Sequence, residues 1–201
     1  MAYDFIYLAS QSPRRRQLLE QLGVRHELLL ADHDEDAESL EAEIAGELPL
    51  AYVERVTRAK LHAAQKRRKR RGLATAPILC SDTTVAIGRR ILGKPADADD
   101  ARNTLSLLSG RTHRVITAVA LAWGRRSDLL VNVSRVHFAP LTDADITRYI
   151  DGGEPFGKAG AYAIQSTAGA WISRIEGSYS GIMGLPLYET AQLMRQANVR
   201  F

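Results

Sequence analysis

ILCSDTTVAIGRRILGKP, residues 78–95, decides how the rest of the chain is read, because it sets an acid in the middle of an apolar run. Bounded by Pro77 and Gly88 and carrying Ile78, Leu79, Val85 and Ile87, its first half has the composition of a strand covered on both faces. Asp82 sits in the middle. An ionised carboxylate there is costly unless a cation or a set of donors meets it, which makes Asp82 a candidate functional residue. The competing reading ends the strand early and leaves Asp82 in solvent or capping a turn. The second half, GRRILGK over 88–94, fits the start of the nucleotide-binding P-loop pattern, but Pro95 stands where a Ser or Thr should hold magnesium. Proline also has no N–H to offer a phosphate. The pair Arg89-Arg90 then reads as the tip of a hairpin that returns Lys94 towards the strand carrying Asp82.

The whole chain, 201 residues with 45% hydrophobic content, is long enough for a substantial core and is read as one domain over 1–201. Its single cysteine, Cys80, falls in the apolar strand, so no internal disulfide forms and a reducing compartment is permitted. No apolar run approaches membrane-spanning length, and MAYDFIYLAS at the N-terminus lacks a basic leader region, so a cytoplasmic soluble protein is expected. The net charge of +4 is concentrated in KRRKRR, residues 66–71. At the end of a predicted helix such a run complements the macrodipole and reads as a solvated face. The alternative, a nucleic-acid patch, lacks accompanying aromatics for stacking.

Residues 5–9 predict a short strand, after which Ser12 as N-cap and Pro13 at the first helical position start a helix closed by Gly23. Three arginines, Arg14, Arg15 and Arg16, occupy its first turn against the helix dipole. That conflict disappears if an anion such as a polyphosphate binds there, with Arg16 turned to water. Residues 26–31 predict a second strand, followed by the acidic stretch DHDEDAESLEAE, in which Asp34 or Glu35 is a candidate for helping to hold a divalent cation. From 50 to about 71 the pattern is helical and puts Lys60 on the inward stripe, either snorkelling along the core edge or entering a cleft shared with Asp82. Asp97 caps a third helix, and 112–123 with 128–138 predict two long adjacent antiparallel strands joined at 124–126. His113, at the start of the first, reads as a strand-end hydrogen-bonding residue or a site residue. A helix from Thr142, a glycine-rich loop GGEPFGKAG presenting Glu154 and Lys158, a strand near 170–175 and a closing helix from 187 complete the order. GSYSG has tyrosine where a serine hydrolase elbow needs its nucleophile, so that motif is absent. The sequence of elements predicts an α/β protein with a mixed sheet.

Seven segments together, SQSPRRRQLL, YVERVTRAKL, SDTTV, LGKP, LSGRTHRVITAV, GKAGAYAIQS and GSYSGIMGLPLYET, span nearly the whole chain and resemble the Maf family of nucleotide pyrophosphatases. GKAGAYAIQ, with its glutamine, is most similar to the branch acting on dTTP and UTP, as opposed to the one acting on 7-methyl-GTP. The resemblance implies an elongated mixed α/β sheet with flanking helices and two lobes around a central cleft, the Maf/ITPase-like arrangement, assembled as a homodimer. It implies hydrolysis of a nucleoside triphosphate to the monophosphate and pyrophosphate, dependent on a divalent cation, magnesium or manganese. Asp82 matches the family's proton acceptor and is expected to touch the metal as well, and Arg14, Thr83 and Gln165 match positions tied to substrate choice. Ser10, Arg15, Glu35, Lys60, Lys94 and Lys158 match polar positions lining the cleft, with Glu35 carried over as a metal ligand. Ser81 stands where the family commonly has alanine and Ser166 where glycine is common. Two rival functions remain at this point: a pyrophosphatase for a modified purine nucleotide such as 7-methyl-GTP, and a nucleic-acid-binding regulator of cell division acting through residues 66–71.

Overall fold

The computed structural model describes residues 2–33, 35–36 and 39–201. Its strands, β1 (Ile6–Leu8), β2 (His26–Leu28), β3 (Ile78–Ile87), β4 (Arg90–Leu92), β5 (Thr112–Trp123), β6 (Arg126–Phe138) and β7 (Ile172–Glu176), form one mixed seven-stranded sheet in the order β2-β1-β3-β5-β6-β7, with β4 paired to β3 off that path. β1 (Ile6–Leu8) runs parallel to β2 (His26–Leu28) and to β3 (Ile78–Ile87), and every other pairing is antiparallel. The predicted second strand is shorter than its apolar run, since β2 ends at Leu28. β3 and β4 (Arg90–Leu92) make the expected hairpin at Gly88. β5 (Thr112–Trp123) and β6 (Arg126–Phe138) are the long antiparallel pair, and β7 is Ile172–Glu176.

Helices cover both faces of β3 and β5, which is why neither strand alternates apolar with polar residues. On one face α2 (Pro49–Arg70) lays Val53, Val56, Leu61 and Ala64 over Ile78, Cys80, Ile116, Ala118 and Ala120. On the other, α1 (Pro13–Gln21) and α6 (Leu187–Gln196), which follows the short α5 (Tyr179–Met183), pack Leu18, Leu19 and Leu193 against Leu79, Val119 and Leu121. Further along, α3 (Ala98–Leu108) and α4 (Asp143–Asp151) enclose a second cluster around Val85, Val115 and Phe138.

The helix starts follow the local chemistry. Ser12 Oγ accepts from Arg15 N (3.4 Å), Asp97 Oδ1 from Asp100 N (2.8 Å), and Thr142 with Asp145 closes a reciprocal capping box. No helix among the described residues is long and apolar enough to cross a membrane.

One irregularity positions the site. β1 reaches along β3 only to Leu79, and β4 begins to pair at Val85. Residues 80–84 of β3 therefore have β5 on one side and no strand on the other. The sheet has a notch there, at the strand that carries Asp82.

Candidate active site

The notch opens into a cleft of about 720 Å³ lined from both faces of the sheet and from the loops around it. Because successive side chains of a strand point to opposite faces, Asp82 projects towards α2, and Ser81 and Thr83 project towards the segment at 178–184. Both sets reach the cleft because nothing closes the sheet between them.

On the α2 side, Asp82 is 8% exposed and its Oδ1 accepts from Lys60 Nζ at 2.5 Å. The inward stripe of α2 thus delivers its lysine to the acid, and the cleft reading of Lys60 replaces the snorkelling one. The same ammonium donates to Glu41 Oε1 at 2.7 Å, and Lys94 Nζ donates to Glu41 Oε2 at 2.8 Å. Glu41 ends a single 3₁₀ turn (Ser39–Glu41), and its carbonyl accepts from Tyr52 Oη of α2 (2.8 Å). Burial works against its charge, but the two lysines outweigh burial and hold the carboxyl below the usual carboxylate range. Burial, reinforced by the negative charges of Asp82 and Glu41, pushes the Tyr52 phenol up to about 12.

On the opposite side, Arg15 is fixed on every nitrogen of its fork. Nε donates to Gly184 O (2.8 Å), Nη1 to Ser10 Oγ (3.2 Å) and Nη2 to Thr83 Oγ1 (3.3 Å). Thr83 and Thr117 hydroxyls lie 3.0 Å apart, Thr117 donates to Gly181 O (2.7 Å), and the single hydrogen of Ser81 Oγ lies within reach of both Ala118 O (2.8 Å) and Gly184 O (3.0 Å). Arg14 makes one long bond, Nε to Met183 O at 3.4 Å, and its terminal nitrogens have no acceptor among the described residues. Burial lowers the pKa of both guanidinium groups, so each positive charge is short of solvent and suited to an anion. Arg16 is exposed, as expected.

The loop 157–166 forms the remaining wall. Lys158 donates to Glu154 O, and burial lowers its pKa against the opposing charge of Glu154. Gly160 lies so close to β3 that an added Cβ would stand 2.7 Å from Val85 Cγ1, and its φ of +69° is itself unfavourable for other residues. Gly160→Ala is expected to lower stability by about 2 kcal/mol, a backbone cost plus overpacking, read as a fall in the urea midpoint with unchanged slope. The side chain of Gln165 is exposed on this wall.

Asp82, Arg14, Arg15, Ser10, Thr83, Lys60, Lys94, Lys158 and Gln165 therefore all line one cleft. Glu35 does not. Arg67 is 5% exposed and grips both Glu35 oxygens, through Nε at 3.0 Å and Nη2 at 2.5 Å, and Arg70 adds a bond at 2.5 Å. Arg67 chiefly, with Arg70, holds the Glu35 carboxyl down at about 2. Two arginines hold this carboxylate outside the cleft, and Glu41 is the acid of that connection that lines it and faces Asp82's lysine. Asp34 lies outside the described residues. Glu41 had no distinguishing signal in the sequence, being one of many carboxylates in the acidic stretch. The same contacts account for the basic run. Arg67 Nη1 donates to Leu29 O (2.8 Å), Arg71 to Leu30 O (2.8 Å) and to Asp32, and Arg70 to Asp32. Half of residues 66–71 clasp the segment after β2, which removes them from a nucleic-acid surface.

Comparison with known proteins gives a consistent result. The family described as Maf-like protein matches residues 5–197. A protein of a Polaromonas species named dTTP/UTP pyrophosphatase is 63% identical, over 99% of this chain and 98% of its own length. Proteins of the same name from Albidiferax ferrireducens and Cupriavidus pinatubonensis are 62% and 60% identical, over 96% and 99% of this chain and 96% and 100% of theirs. Among solved structures, that of the Staphylococcus aureus Ham1 protein aligns with a TM-score of 0.41 and 12% identity over 68% of this chain and 72% of that one.

Proposed function

We infer that this chain, which belongs to the Maf family, is a hydrolase that cleaves dTTP and UTP to the nucleoside monophosphate and pyrophosphate. The observation that carries the reading is an acid buried at the notch of the sheet, Asp82, faced by Lys60 and surrounded in the same cleft by Arg14, Arg15, Lys94 and Lys158. Hydrolysis at the α-phosphorus forms one P–O bond to water and breaks the bond to the bridging oxygen. Asp82 orients the water and accepts its proton, and pyrophosphate departs with the electrons of the broken bond. Arg14 and the lysines hold the triphosphate and neutralise charge that spreads onto its oxygens. Arg15, already fixed by three bonds, contributes a stationary positive charge and keeps Thr83 and Gly184 in place.

A divalent cation, magnesium or manganese, belongs to the same proposal. What supports it is the donor set. Asp82 and Glu41 share one ammonium, so both carboxylates lie close enough to hold a small hard cation together with phosphate oxygens. No group of three or more His, Cys, Asp or Glu able to hold a metal stands among the described residues, so the substrate would complete the coordination. Bound there, the ion supplies charge neutralisation at the phosphate oxygens.

Gln165 offers a donor and an acceptor, matching O4 and N3–H of uracil or thymine. Gln165→Ala is expected to change the ranking of nucleotides more than the maximal rate. An unchanged ranking across dTTP, UTP, CTP and GTP would argue against base reading. The function itself is tested by pyrophosphate release over that panel with magnesium or manganese, and a folded chain that hydrolyses none of them would overturn it. A homodimer in the cytoplasm completes the proposal. Residues 126–134 of β6 support the first part, since β7 pairs only at 135–138 and leaves an open strand edge beside exposed Val133. Sedimentation at twice the 22.2 kDa chain mass is the expected result.

A further inference from the structure

Gln165 sits on a short segment, residues 161–166, that is moored at both ends by phenols. Near its start, Tyr162 Oη lies 2.7 Å from His113 Nε2 on β5. At its end, Tyr149 Oη of α4 lies 3.1 Å from Ser166 Oγ, which itself donates to Ala163 O at 2.9 Å. Ala163 and Ile164 between them are buried, and only Gln165 is exposed towards the cleft.

His113 is 2% exposed and packed edge-on against Phe138 and Tyr162, with ring centroids 5.0 and 5.4 Å away. Burial pushes its pKa down to about 4, so the imidazole is neutral at neutral pH. Its Nδ1 is buried without a hydrogen-bond partner among the described residues. An unmet ring nitrogen in an aromatic cluster is unfavourable, and packing alone would be served better by phenylalanine. The bond that the other nitrogen makes is what the histidine adds. That bond falls one residue after Ala161, whose φ of +61° is strained for a non-glycine residue and persists only if its surroundings hold it.

We propose that His113 is a positioning residue for base recognition: through Tyr162 it fixes the 161–166 segment so that Gln165 meets the edge of the pyrimidine. This rests on the reading of Gln165 as the base contact given above.

The test uses the full chain with His113→Phe, which keeps the ring and loses Nε2, and His113→Gln, whose amide can still reach the Tyr162 hydroxyl. Two measurements are made on each. In hydrogen exchange, His113→Phe is expected to lose about tenfold of the protection at residues 161–166 while amides of β3 and α2 keep theirs. In steady-state kinetics, its preference for dTTP over CTP is expected to fall by about tenfold through KM, with kcat for dTTP within about twofold, and His113→Gln restores most of the preference. Unchanged protection in folded His113→Phe overturns the proposal. So does lost protection with an unchanged preference and only a lower melting temperature, because the histidine would then serve stability alone. A wild-type chain inactive on every nucleotide would overturn the pyrophosphatase reading and the recognition role with it, and the exchange experiment would still decide whether His113 holds the segment.

Discussion

Asp82→Asn is expected to leave a folded protein that releases pyrophosphate from dTTP at least about a hundredfold more slowly. The substitution removes the charge and basicity but keeps the shape, and Asn Oδ1 can still accept from Lys60. Lys60 also keeps its bond to Glu41, so the lysine is not stranded. Unfolding therefore does not account for the loss, and a melting curve close to that of the wild type is expected alongside it. The effect should fall on kcat, since the arginines and lysines that hold the triphosphate are unchanged. Near wild-type pyrophosphate release would refute the assignment of Asp82 as the base.

Arg67→Ala is expected to cost about 3 kcal/mol of stability while sparing the chemistry. Arg67 lines the cleft but is nearly inaccessible. Its Nη1 satisfies Leu29 O, and Nε and Nη2 together chelate Glu35. Truncation leaves Glu35 to Arg70 alone, takes the side-chain donor from the Leu29 carbonyl and leaves a void. The loss is measured as the shift of the urea midpoint at pH 7. Its pH dependence has a definite sign. Glu35 has a folded pKa of about 2, below the ordinary 4.5, so its contribution is complete above about pH 4.5 and is lost as pH falls towards 2. The gap between wild type and variant should narrow over that window, and a gap constant down to pH 3 would rule out the Glu35 pair as its source.

The sequence made most of the frame legible because caps and apolar runs are local. Ser12 with Pro13, Asp97 and the Thr142–Asp145 pair each start a helix through contacts within four residues. Asp82 was legible for the opposite reason, as a charge in conflict with its apolar neighbours. Gln165 and Lys158 were carried by resemblance, not by any property of their surroundings. Glu41 and Glu35 exchanged places because a run of acids has no internal feature to show which member faces the cleft. That choice is made by Arg67, thirty-two residues beyond Glu35, and by Tyr52, eleven beyond Glu41. The basic run was legible as the charged end of α2, but its partners on the segment after β2 were not, being unrelated to it by any periodicity. His113 was legible as a strand-end hydrogen-bonding residue, which it is at the second position of β5, but its partner Tyr162, forty-nine residues on, was not.

The notch between β1 and β4 divides labour within the molecule. On the proposed reading, the acid that does the chemistry is mounted on an inner strand, among the stiffest backbone a protein offers, whereas the side chain that meets the nucleobase hangs from a connecting loop. Changes in that loop can retune which nucleotide is accepted without disturbing the machinery of bond cleavage, so one scaffold can diversify its diet while its reaction stays constant.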